Sequence, residues 1–115
     1  MATEMEDAKI RDFLEGQFVK SFEDRETRVY QFDKEKVQLV DKIDFNNKPT
    51  KAVRYVVRDP ESALRDNWKF WDLSRMHRNV FDELRDGNNG KGWTVMEITR
   101  EGLNKNTRYR VKGIR

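Results

Sequence analysis

The sequence predicts a mostly β domain with one or two helices. Three observations carry this. Over residues 28–58, and again beyond 68, apolar and polar residues alternate at a period of two. Clusters of Asn, Gly, Asp and Pro punctuate those stretches. One segment, Ser74–Asp86, switches to helical spacing. A length of 115 residues, 39% charged and 11% aromatic, fits one small domain with an aromatic core and a charged surface.

Ile10, Phe13, Leu14, Phe18 and Phe22 have helix-compatible spacing, interrupted by Gly16. A short helix near residues 5–15, or a partly disordered arm, is expected there. Arg28–Phe32 reads as a strand with Tyr30 and Phe32 on one face. Val37–Phe45 is a stronger strand, with Val37, Leu39, Ile43 and Phe45 sharing a face. Asp41 falls on that apolar side, where an unpaired buried carboxylate is costly, and so points to a bulge or bend. Asn46–Pro49 is a turn. Thr50–Arg58 is the next strand, with Val53, Tyr55 and Val57 on one face and Arg54, Val56 and Arg58 on the other. Asp59-Pro60-Glu61 ends it, because proline cannot donate to the ladder.

Residues 61–67 read as a loop and Trp68–Leu73 as a strand. Ser74 is placed to cap a helix. Met76, Val80, Phe81 and Leu84 then recur at helical spacing, and Gly87 is placed to end the helix in a left-handed conformation. After a flexible loop over 88–92, Trp93–Arg100 and Thr107–Lys112 form two strands joined by a Gly- and Asn-containing hairpin. In the last strand Tyr109 and Val111 face inward.

From residue 37 the order is three strands, a helix, then two strands. That is the order of an OB-like five-stranded barrel, whose helix lies between strands 3 and 4. Residues 1–36 then form an N-terminal helix and strand extension. An α+β sandwich, with a helix on one face of an antiparallel sheet, is the alternative.

Ile98-Thr-Arg100-Glu-Gly102, followed by Thr107-Arg-Tyr109-Arg-Val111, resembles the closing strands of small archaeal and phage single-stranded-DNA-binding proteins. The preceding strand and helix, Trp68–Leu84, are similar in pattern to the same proteins. The resemblance covers roughly the last half of the chain. It implies an OB-type fold and binding without catalysis. The N-terminal arm takes no part in it.

Charge is unevenly spread over the chain. Residues 1–26 carry 8 acids and 4 bases, whereas residues 87–115 carry 2 acids and 7 bases. An acidic arm, 1–26, therefore precedes a basic body, 27–115. The chain has no Cys and a single His. Disulfides, thiolate metal sites and Cys nucleophiles are excluded, and His77 reads as a surface residue of the helix. The carboxylates show no paired metal spacing, so no metal, cofactor or enzymatic activity is expected. No apolar run approaches the ~20 residues needed to span a bilayer, and the acidic start is unlike a signal peptide. A cytoplasmic protein without membrane contact is expected.

Single-stranded DNA or RNA is held by cations along its phosphates and by aromatic rings stacked on its bases. If Val53, Tyr55, Val57 and Trp71 face the core, strand parity puts Arg54, Arg58, Trp68 and Phe70 together on the opposite face, where Lys42 joins them. Lys69 lies within the same stretch. Arg108, Arg110 and Lys112 form a basic row on the last strand, with Arg100 and Lys105 nearby. Such a row also discourages edge-to-edge aggregation. Lys91 and Trp93 could form a lip of the groove. These residues are the expected nucleic-acid-binding set, for a role in replication, recombination or repair. The arm offers a contact for a replication or repair protein, or a competitor for the basic surface. The alternative is a small protein-interaction subunit whose aromatic surface buries a partner.

Overall fold

The computed structural model describes residues 6, 7, 10, 16–63 and 67–115. They contain a six-stranded antiparallel sheet: β1 (Thr27–Phe32), β2 (Gln38–Ile43), β3 (Pro49–Arg58), β4 (Lys69–Leu73), β5 (Val95–Glu101) and β6 (Arg108–Gly113). One α-helix of nine residues, α1 (Arg78–Asp86), falls between β4 and β5. No helix among the described residues is long and apolar enough to cross a membrane.

The long strand β3 organises one half of the sheet. Along one edge it pairs with β4, setting Tyr55 opposite Trp71. Its other edge is shared by β2, with Leu39 opposite Val53, and by the end of β1, with Phe32 opposite Val57. A 3-10 turn at Lys34–Lys36, capped by the Asp33 side chain, joins β1 to β2. The remaining pairs are β1 with β5 and β5 with β6. Among the described residues no backbone pair joins β4 to β6, so the sheet is open at that seam.

Alternation decides what is buried. Tyr30, Phe32, Tyr55, Val57, Trp71, Leu73, Met96 and Ile98 point to one side, where Val80 and Leu84 of α1 cover them. The N-terminal segment completes this core. Residues 17–19 run beside β4: Phe70 N–H donates to the Gln17 carbonyl (2.7 Å) and Val19 N–H to the Phe70 carbonyl (3.0 Å). This course delivers Phe22 to the open seam, where its ring lies 5.7 Å from Trp71, 5.5 Å from Tyr109 and 5.8 Å from Tyr30. Phe22 is 3% exposed. Arg28 covers its ring at 4.1 Å, and Arg100 donates to its carbonyl.

Several expectations change here. Phe18 and Phe22 belong to no helix; their segment is bound to β4 and the seam. Within the expected helix over 5–15, Glu6, Asp7 and Ile10 are helical, and the rest lies outside the described residues. Asp41 makes no bulge, because its side of the β2–β3 hairpin is not core: Leu39, Ile43 and Phe45 are 64%, 70% and 86% exposed. Asp41 instead pairs with Lys51 across the hairpin at 2.6 Å. Met76 and Phe81 are exposed as well, while His77 is buried. The helix opens with a 3-10 turn, Arg75–His77, and the Ser74 side chain makes no capping bond.

Gly87 is not left-handed, with φ −64°. Its constraint is space: a Cβ there would lie 2.6 Å from Trp93 Nε1. At Gly113 the crowding is worse, since a Cβ would sit 1.9 Å from Trp93 Cε2. Replacing Phe22 by Ala is expected to cost about 3–5 kcal/mol in urea unfolding, the range for deleting a core ring. Gly113→Ala should cost about 1–3 kcal/mol by overpacking, read in the same experiment.

Candidate functional site

The side of the sheet away from α1 collects the charged and aromatic residues that the core rejects. The β3–β4 register sets Arg54 opposite Asp72 and Val56 opposite Phe70. On the β2 side, Gln38 lies opposite Arg54 and Lys42 opposite Thr50, so Lys42 shares this outer face. Arg54 grips Asp72 with two parallel hydrogen bonds, 2.8 and 3.0 Å, and Lys42 Nζ approaches the same carboxylate at 2.5 Å. Burial works to raise the Asp72 carboxyl, but the hydrogen bonds from Arg54 and Lys42 outweigh it and hold the group below the usual carboxylate range. The bond to Asp72 in turn raises Arg54.

Rings and cations interleave around that cluster. The Arg54 guanidinium lies 4.6 Å from the Phe70 ring centre and 5.1 Å from that of Phe18, and Lys42 Nζ lies 5.2 Å from the Phe18 centre. Phe18 and Phe70 meet edge to face at 5.6 Å. Further along, Arg58 lies 5.6 Å from the Trp68 ring centre and donates from Nε to Gln31 Oε1 at 2.8 Å. Trp68 and Phe70 are half-buried; Phe18 is 44% exposed. Beside them runs an open groove of about 600 Å³, lined by Lys36, Val37, Gln38, Val56, Trp68 and Phe70 among others. A flat, half-exposed ring bracketed by guanidinium groups offers a π-face together with fixed positive charge.

The chain matches no family model, no curated protein and no solved structure.

Of the residues selected from the sequence, Lys42, Arg54, Arg58, Trp68 and Phe70 come together on this face. Lys69 does not: its parity is that of Trp71, and it lines a separate cleft with Arg28 and Asn67. Arg100 points inward and clamps the Phe22 and Gly102 carbonyls and Thr107 Oγ1. Trp93 is half-buried against Gly113 and donates its indole N–H to Glu83 at 2.8 Å. Lys91 is exposed, and its carbonyl accepts from Lys34 Nζ at 3.5 Å. Arg108, Arg110 and Lys112 stand on β6, opposite Glu101, Thr99 and Glu97, with Arg110 paired to Glu101 at 2.8 Å. β1 and β5 separate that row from β3.

Phe18, Asp72 and Gln31 join the face without having been expected there. Alternation did put Asp72 on the same side as Phe70. What the sequence lacked was the cross-strand register that sets it against Arg54.

His77 lies behind this face, packed edge to face on Tyr109 at 4.9 Å, with Nδ1 buried and unpartnered among the described residues. Burial, helped by Arg108, pushes its pKa below the ordinary 6.5. The unfolded chain therefore takes up a proton near pH 6.5 while the folded chain resists it. Stability is expected to be intact above that pH and to fall as the pH drops below it. Asp72 adds a second loss at more acid pH, below about 3.8, because its folded carboxyl is held low. Thermal melts across pH should show both phases, and His77→Phe should remove the upper one alone.

Proposed function

We propose that this face binds single-stranded nucleic acid, DNA or RNA, without catalysis. The observation that carries the proposal is the interleaving of Phe18, Phe70 and Trp68 with Lys42, Arg54 and Arg58 on one sheet surface. Bases of a single strand stack on rings, and its phosphates follow cations. A duplex hides its base faces and has little to offer the rings.

The connectivity supports reading the fold as an OB-like barrel. In that reading β1 and β2 are two halves of one bent first strand, interrupted by the turn at 34–36. β3, β4, α1, β5 and β6 follow in the expected order. The β4–β6 closure is replaced by residues 17–22, with Phe22 as the plug. The OB surface used for oligonucleotides is the face of its second and third strands, which here are β3 and β4. A place in replication, recombination or repair, in the cytoplasm or on a nucleoid, belongs to the same proposal.

A protein partner burying the same rings is the second reading. It is favoured by Asp72, which already neutralises part of the positive charge. Salt separates the two. For a single strand the log–log affinity slope is about −0.7 per phosphate neutralised, whereas ring burial is nearly insensitive to salt.

Fluorescence anisotropy with a labelled oligonucleotide is the direct test. Phe70→Ala should weaken binding by about 5- to 150-fold, the loss of one stacked base at ~1–3 kcal/mol. Asp72→Asn should tighten binding at low salt and steepen the salt slope, because Arg54 and Lys42 are released to phosphates. No binding at low salt would overturn the proposal, and equal affinity for duplex would remove the single-strand preference.

A further inference from the structure

The β2–β3 hairpin leaves one edge of the sheet unused. Asp44 N–H donates to the Lys48 carbonyl at 2.9 Å, which fixes the alternation back along the strand. Lys42, Val40 and Gln38 turn their backbone groups towards β3, whereas Ile43, Asp41 and Leu39 turn theirs away from it. Pro49 fits this pattern, since it stands opposite Ile43, where no donor towards β2 is required. Among the described residues no backbone group pairs with the outward edge of β2. The residues with free backbone groups are also those whose side chains lie on the uncovered inner side of the hairpin. Leu39 and Ile43 are both more than half exposed there.

We propose that β2 pairs antiparallel with β2 of a second copy of this chain, about a two-fold axis at Asp41. In this register Leu39 of each copy lies opposite Ile43 of the other, and the outward N–H and C=O groups of Leu39, Asp41 and Ile43 find partners. Apolar side chains meet apolar ones on both sides of the axis. The two Asp41 carboxylates meet at the axis, but each carries its own Lys51 ammonium at 2.6 Å, so four alternating charges gather there. Neighbouring registers are worse. Moving the axis to Val40 sets Leu39 against Asp41, and moving it to Lys42 sets Ile43 against Asp41. Registers offset by one residue bring opposite faces together. The strand is self-complementary in one alignment, which singles out a second copy rather than a foreign strand.

With the axis normal to the sheet, the outer faces bearing Lys42, Arg54 and Phe70 look the same way in both copies. The pairing does not depend on what that face binds, and it is tested without ligand.

Sedimentation velocity of the full chain across the micromolar range should show one chain passing to two as concentration rises. Leu39→Lys, at an exposed position, should keep its circular dichroism and lose the two-chain species. The chain contains no cysteine, so Asp41→Cys introduces a single thiol. A short bis-maleimide should then link Asp41→Cys chains to one another several-fold better than Lys105→Cys chains, whose thiol lies far from the axis. A wild-type chain that stays single at every concentration would overturn the proposal. So would a Leu39→Lys variant that still pairs, or equal linking at both thiols.

Discussion

The packing of Phe22 into the seam between β4 and β6 is the contact on which the rest of the molecule depends. The sheet leaves Trp71 and Tyr109 facing one another without a backbone pair between their strands, their rings 5.3 Å apart. A second aromatic surface is needed there, and the segment before β1 supplies it. Arg28 and Arg100 then hold Phe22 from the ring side and the carbonyl side. Because one ring touches β1, β4 and β6 together, a chain with so much surface charge still closes a core. Large rings bury more area per residue than aliphatic side chains, which suits a chain with few apolar residues.

The same segment shapes the outer face. To reach the seam, residues 17–19 must run beside β4, and that course lays Phe18 against Phe70. The candidate site is thus partly a consequence of how the core is closed. Charge composition assigned Phe22 to an acidic arm, yet the ring is core. The boundary between arm and body that charge draws is not the boundary that packing draws.

Where one side of a strand is buried, alternation in the sequence identified it. Val53, Tyr55, Val57, Trp71 and Leu73 turn inward as expected, and so Arg54, Arg58, Trp68 and Phe70 share the outer face. Alternation failed on β2, because it reports which residues share a side and not whether anything covers that side. Leu39 and Ile43 alternate like core residues and remain in solvent. His77 failed in the opposite sense: polar by type, it is buried because the turn before α1 aims it at Tyr109. The pairing of Arg54 with Asp72 depends on register across an intervening loop, which no local pattern encodes.

That pairing also governs how the face would hold a polyanion. Two of its cations are already committed to Asp72, so a phosphate must compete with a carboxylate held by two parallel hydrogen bonds from Arg54. Long-range attraction to any nucleic acid is weakened accordingly, and the duplex, which offers little besides phosphates, loses most by it. The rings keep their full contribution, since stacking does not require the cations to be free. Phe18, more exposed than Phe70 and held to β4 through the backbone beside it, would on that proposal be the ring to meet a base first. If the face binds a single strand as proposed, it would discriminate by what it withholds from phosphates as much as by what it offers to bases.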